Sequence, residues 1–279
     1  MSMTLFCWIL SALLLPGGDT VSLPVGTEQV SNATYVETKV LFEDDGTTDW
    51  RNHWMLDGER ATVKNSNQGM AFIAGSEIGN DSCHAVLWTK QSFSGDITIE
   101  YENTRIDTAI RFVNILYFMA TGKGDEEHPK DISLWNEKRR VPAMDVYFNY
   151  MNTYHISYAA FPVDNDGSQV DYIRLRRYRP GGASGLRNTD FPGDVFDTGL
   201  FRTGVPYRVK VILLGTTIEM QVQNMENPKE QKSIKWDASI FPLCREGRVG
   251  IRHMYGRSAR YKNFTVRQIV PKGSALLEE

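Results

Sequence analysis

Cysteine is scarce in this chain: three in 279 residues, at Cys7, Cys83 and Cys244, with no Cys-x-x-Cys among them. That spacing offers no thiolate zinc site. It leaves at most one bridge in a processed chain, Cys83 to Cys244, with two buried free thiols as the other reading. Gly-x-Ser-x-Gly and the Walker pattern are missing, which removes the two commonest nucleophile and phosphate-cradle signatures. Closely spaced acids of the form Glu-x-Asp-x-x-Glu are missing too. Glu100 and Glu102 share one face of a strand, but no third acid follows, so no pair presents itself for a two-carboxylate hydrolysis. Excess positive charge is lacking: 31 Lys and Arg against 34 Asp and Glu, mixed along the chain, give a net charge of −3. Broad attraction to nucleic acid is therefore not expected.

Long apolar runs are confined to Leu5–Leu15, broken only by Ser11 and followed by Pro16-Gly17-Gly18. This is too short to span a bilayer and matches the core of an export signal. Its flank, Met1-Ser2-Met3-Thr4, lacks Lys and Arg, so a cytosolic chain with an unusual start is the alternative. The expected organisation is a signal peptide over 1–22, one β-sandwich domain over 23–270 and a tail over 271–279. The expected location is secreted or periplasmic, with no membrane contact after the signal is removed.

What the chain does contain is a succession of short strands and turns, without linkers, repeats or long helical periods. The pattern predicts strands at Tyr35–Phe42, Ala61–Lys64, Met70–Ala74, His84–Thr89, Ile97–Asn103, Ile110–Ala120, Asp145–Tyr150, Tyr154–Phe161, Val170–Tyr178, Tyr207–Leu214, Thr217–Asn224, Arg248–Met254 and Ala259–Gln268. Gly215-Thr216 makes Tyr207–Asn224 a hairpin. Thr121–Pro142 reads as a charged loop over a sheet end, and Arg179–Gly204 as a second, Gly- and Pro-rich loop. The predicted fold class is all-β, a concanavalin- or galectin-like jelly roll of two packed antiparallel sheets.

Residues 171–179, Asp-Tyr-Ile-Arg-Leu-Arg-Arg-Tyr-Arg, carry the strongest chemical signal. Alternation places Tyr172, Arg174, Arg176 and Tyr178 on one face and Ile173 and Leu175 on the other. Guanidinium groups framed by phenols suit a groove for an anionic, ring-shaped ligand, and an acidic polysaccharide has both properties. In the strand Tyr154–Tyr158, His155 and Ser157 share one face. His155 is either a groove residue or a satisfied structural histidine. His84 shares a face with Trp88, which either stacks a sugar or sits in the core. Asn114 is a lone amide among Phe112, Leu116 and Phe118; it either anchors a loop or touches ligand. Arg252 either joins the basic groove or is an exposed strand charge. Glu43-Asp44-Asp45 with Asp49 is an acidic loop or a structural calcium site, without EF-hand spacing. No other metal or cofactor is expected.

The blocks His84–Trp88, Tyr117–Asp125, Tyr154–Tyr158, Arg174–Arg177 and Val249–Met254, in this order, resemble a YesU-like family, a domain of unknown function. The resemblance covers about residues 50–268. It implies a galectin- or concanavalin-like jelly roll and an association with the breakdown of pectic or other acidic polysaccharides. The chain departs from that pattern in its export segment and its long Arg179–Gly204 loop. The leading expectation is a polysaccharide lyase that cleaves a uronate glycan by β-elimination. Arg174, Arg176 and Asn114 would serve the carboxylate, and His155 or Tyr172 the proton transfers. His84, Trp88, Ser157, Tyr178 and Arg252 would contact substrate. A non-catalytic carbohydrate-binding module and a glycoside hydrolase with an unrecognised acid pair are the alternatives.

Overall fold

The computed structural model describes residues 34–162, 170–181 and 185–273. The expected signal segment, most of the tail and the turn at Asp164–Gly167 lie outside them. The strands are β1 (Tyr35–Asp44), β2 (Trp54–Asp57), β3 (Thr62–Ser66), β4 (Gly69–Ile73), β5 (Ala85–Ser94), β6 (Ile97–Arg105), β7 (Phe112–Gly122), β8 (Met151–Phe161), β9 (Tyr172–Tyr178), β10 (Val195–Phe196), β11 (Pro206–Leu214), β12 (Thr217–Asn224), β13 (Gln231–Asp237), β14 (Glu246–His253) and β15 (Ser258–Pro271), with a helix α1 over Met144–Tyr150. They form two antiparallel sheets. The first runs β13-β12-β11-β6-β15-β4-β3, with β1 also paired to β15; the second runs β10-β9-β8-β7-β14-β5-β2.

Period-two alternation builds the core between the sheets. Ile97, Ile99 and Tyr101 of β6, Val209 and Val211 of β11, and Ile218, Met220 and Val222 of β12 face inward from the first sheet. Leu116 and Phe118 of β7, Tyr154, Ile156 and Tyr158 of β8, Ile173 and Leu175 of β9, and Val249 and Ile251 of β14 meet them from the second. The expected hairpin is present: Leu214 faces Thr217, and Gly215 takes the left-handed φ of 57° that a two-residue turn of this kind needs.

The structure differs from the sequence reading in several elements. Residues 145–150, expected as a strand, belong to α1. The segment 121–142, expected over a sheet end, instead covers the outer face of the second sheet. It includes a 3-10 turn at Ile132–Arg139 whose Trp135 and Arg139 are buried. Three strands were not expected: β2, β10 and β13. The last shows a clear alternation, with Ile234 and Trp236 buried between exposed Ser233, Lys235 and Asp237.

The acidic loop spends its carboxylates locally. Asp44 accepts from the Trp54 indole at 2.6 Å and from Gly46 N at 2.9 Å, and Asp49 caps the turn at Trp50–Asn52. Among the described residues no three His, Cys, Asp or Glu side chains converge as around a metal ion. Cys83 and Cys244 are buried and unpaired. No helix among the described residues is long and apolar enough to cross a membrane.

Candidate functional site

Side chains out of phase with the core emerge on the outer face of the second sheet, and the register lines them up in rows. One row reads Arg176, His155, Tyr117, Gly250, Trp88 and Met55; the next reads Arg174, Ser157, Ile115, Arg252, Val86 and Asp57. Gly250 is required here: a Cβ would meet the Trp88 ring at 2.4 Å. The indole lies across that gap, near-parallel to Tyr117 at 5.4 Å and 21°.

Half of this face is closed by residues 121–150. Asp57 is the fastener. Its Oδ2 accepts from Trp88 Nε1 at 2.7 Å, Arg139 Nε at 2.6 Å and Tyr147 OH at 2.8 Å, and its Oδ1 accepts from Asn136 Nδ2 at 2.6 Å. Both Asp57 and Arg139 are wholly buried. Tyr147 stacks on Tyr117 at 5.8 Å and 7°, and the Arg252 guanidinium lies 4.6 Å from its ring centre. Arg252 Nη2 donates to Pro142 O at 2.6 Å and to His84 Nδ1 at 2.9 Å, which fixes the His84 proton on Nε2. Burial, then the Arg252 charge, lowers His84 to a pKa of about 3, so it is a neutral acceptor. Arg252 has no ion-pair partner among the described residues, and its Nε and Nη1 make no hydrogen bond there.

Beside the closed half runs a hydrogen-bonded chain: Ser157 Oγ lies 2.8 Å from His155 Nε2, and His155 Nδ1 lies 2.5 Å from Tyr178 OH. His155 is buried. Desolvation first, then the charges of Arg176, Arg252 and Arg174, hold it well below the usual histidine range, so the imidazole is neutral at pH 7. Burial likewise raises Tyr178 well above the ordinary phenol value.

The open part of the face lies along β9 and β10. Arg174 makes a two-nitrogen contact with Asp194 Oδ2, Nε at 2.7 Å and Nη2 at 2.5 Å. Arg176 Nη2 lies 2.9 Å from Asp190 Oδ1, and its Nη1 donates to Thr189 Oγ1 at 3.0 Å and Leu186 O at 3.1 Å. Tyr172 pairs with Phe196 across β9–β10, their ring centres 6.2 Å apart. Phe196 is 54% exposed, on the same face as the two arginines.

The structure thus gathers Tyr172, Arg174, Arg176, Tyr178, His155, Ser157, Trp88 and Arg252 on one side of one sheet, with His84 against Arg252. Five of the expected positions need correction. Asn114 pairs in register with Tyr158 and His253 and faces the interior between the sheets, because it is in phase with Leu116 and Phe118. Trp88 is not an open platform, since Tyr147 and the Asp57 cluster cover it. Arg252 is not an exposed strand charge but is wholly buried beneath the same cover. Arg174 and Arg176 are not bare cations; each has its own carboxylate. The sequence reading missed Phe196, Asp190, Asp194, Asp57 and Tyr147. Asp194-Val195-Phe196 does show period two, a signal masked by the surrounding Gly and Pro. Nothing local marks Asp57 or Tyr147.

No curated protein matches the chain. Among solved structures, a Bacillus subtilis protein of unknown function with a galectin-like fold is similar, with a TM-score of 0.67 at 19% identity over 85% of this chain and 100% of the other. The exoplasmic/lumenal domain of VIP36, in a form bound to Ca2+ and Man3GlcNAc, has a TM-score of 0.52 at 12% identity over 84% of this chain and 92% of its own. Basic winged bean lectin with Tn-antigen has a TM-score of 0.52 at 8% identity over 84% and 100%. These likenesses establish a galectin-like jelly roll, as the two antiparallel sheets require. With residues 43–266 matching the model of a domain of unknown function, DUF1961, the chain belongs to that family.

Proposed function

We propose that the protein binds a carbohydrate chain along β9 and β10, on the outer face of the second sheet. The observation that carries this reading is the exposed Phe196 beside Tyr172, next to the Arg174–Asp194 and Arg176–Asp190 pairs. Flat apolar rings take the face of a sugar, and paired guanidinium and carboxylate groups offer fixed donors and acceptors to its hydroxyls. Because each arginine is already neutralised, this edge suits the hydroxyl-rich part of a glycan; a sugar carboxylate would have to displace Asp190 or Asp194. The fold agrees, since VIP36 and winged bean lectin hold their sugars on jelly rolls. The Leu5–Leu15 run supports an exported protein that meets glycans outside the cytoplasm. Phe196→Ala should weaken binding on a glycan panel by about tenfold without loss of fold, since the ring is more than half exposed. Unchanged binding by this variant removes the reading.

A second reading, β-elimination on a uronate glycan, is favoured by the Ser157–His155–Tyr178 chain beside Arg176, which faces His155 across β8–β9. The neutral His155 can accept a proton. In that reading a uronate carboxylate displaces Asp190 or Asp194 to meet Arg176 or Arg174, since Arg252 is sealed beneath Tyr147; this acidifies the adjacent C–H, His155 takes that proton, and a phenol returns one to the leaving oxygen. Uronate polysaccharides should then yield an ultraviolet-absorbing unsaturated product, abolished by His155→Gln while glycan binding persists. No such product from any acidic polysaccharide tested excludes elimination and leaves the binding proposal in place.

A further inference from the structure

We infer that the carbohydrate site continues into an apolar subsite, so that the preferred ligand is a glycan carrying an uncharged apolar substituent. This inference rests on the carbohydrate reading above. A cleft of about 440 Å³ opens where β8 and β9 meet the β10 ribbon, with Phe161, Val170, Leu200 and Phe201 among its walls and Asp171 and Asp197 beside them. That size lies within the roughly 300–1,000 Å³ of small-ligand pockets.

Three strands link the cleft to the proposed glycan edge. Phe161 follows Ala160, which faces Tyr172 across β8–β9. Val170 and Asp171 directly precede Tyr172. Asp197 directly follows Phe196, and its N–H donates to Asp171 O at 2.9 Å. Neighbouring strand residues project to opposite faces, so a sugar on the Tyr172–Phe196 pair reaches the cleft around the ends of β9 and β10, where Arg105 of β6 also lines it.

The chemistry of the walls selects the occupant. Three of the four charged groups are already committed: Asp171 Oδ1 accepts from Thr198 N at 2.6 Å, Arg105 Nε donates to Asp107 at 2.9 Å, and Arg202 Nη2 donates to Glu230 at 2.7 Å. Phe161 offers a ring already flanked by the Arg105 and Arg257 guanidinium groups at 5.0 and 5.4 Å. The rim exposes apolar surface, Ile110 at 55% and Val170 at 42%. Asp197, exposed at the same place, disfavours an anion. An aryl or acyl group fits these walls; a second hydrophilic sugar finds few free partners.

The test uses the full chain and simple hexoses, each as the free sugar and as its 4-methylumbelliferyl glycoside, with 4-methylumbelliferone alone as a probe of the cleft. The glycoside of whichever sugar binds should be held at least about tenfold tighter than the free sugar, as burial of an aromatic group allows. Ile110→Asp combined with Val170→Asp, both at exposed rim positions that tolerate substitution, should abolish that gain and leave the free-sugar affinity unchanged. Equal affinity for sugar and glycoside in the wild type, or a gain that survives the double variant, overturns the inference while the carbohydrate reading stands. If no sugar or glycoside binds, the carbohydrate reading fails. In that case umbelliferone binding that the double variant abolishes upholds the apolar site, and no umbelliferone binding overturns it as well.

Discussion

Asp57 accepts four hydrogen bonds in a wholly buried position, three of them on one oxygen, and the donors come from β5, the turn at Ile132–Arg139 and α1. An amide of the same shape cannot replace it. Asp57→Asn would turn an N–H2 group or a weaker acceptor toward these donors and leave the Arg139 charge buried without a counter-ion. Breaking such a pair costs about 3–5 kcal/mol, and urea unfolding should show a loss of that order; a loss below about 1 kcal/mol would mean that the pair contributes little. The arginine row shows how far single residues could be read in advance. Alternation alone put Tyr172, Arg174, Arg176 and Tyr178 on one face, because period two is a property of the backbone. Their charge state was not legible. Asp190 and Asp194 reach them only through the path of a Gly- and Pro-rich loop, which no local pattern encodes.

At the scale of the element, α1 is the informative case. A helix of seven residues has little stability of its own in water, and its sequence, Met-Asp-Val-Tyr-Phe-Asn-Tyr, has four strand formers against one good helix former, Met144. Tertiary contacts decide: Tyr147 is its one buried residue, tied to Asp57 and packed against Tyr117 and the Arg252 guanidinium. Most strands were legible from runs of apolar and β-branched residues bounded by turns, whereas β13 was missed although its alternation is clear. β2 was not legible, since it is four residues long, and β10 was not, since it is only two. If Tyr147 is the anchor, Tyr147→Phe should remove one hydrogen bond to a buried carboxylate, worth about 1.5–3 kcal/mol. Amide exchange should then speed up across residues 144–150 by at least the corresponding factor, about tenfold, while the strands of the first sheet exchange no faster than the global loss of stability dictates. Uniform acceleration over both sheets would assign the segment to the global folding unit instead.

For the whole molecule, the two-sheet sandwich followed from the absence of helical periods and the recurrence of short alternating segments. The outer face of the second sheet did not. Its burial under 121–150 desolvates His84, His155 is buried beside it, and His253 is buried between the sheets against Phe72 and Tyr261; together these neutral imidazoles have a global consequence. His84 and His253 are each lowered to about 3, by burial first and then by Arg252 and Arg257 respectively, and His155 is held well below its ordinary value. In the unfolded chain all three titrate near 6.5. Between those limits the unfolded chain binds protons that the native state refuses, so stability is complete above about pH 6.5 and falls as the pH is lowered. By pH 5.5 each of the three should have removed about 1.4 kcal/mol. The buried carboxylate Asp107 works in the same direction at lower pH, since Arg257 and the Ser258 N–H outweigh its burial and hold it down. Urea unfolding at pH 7.5, 6.5 and 5.5 should therefore show a steep, monotonic decline. His155→Gln should flatten it by about one third between pH 6.5 and 5.5. A stability that stays level over this range would mean that the three imidazoles take up protons in the folded protein, and the buried surroundings of each would then have to admit water.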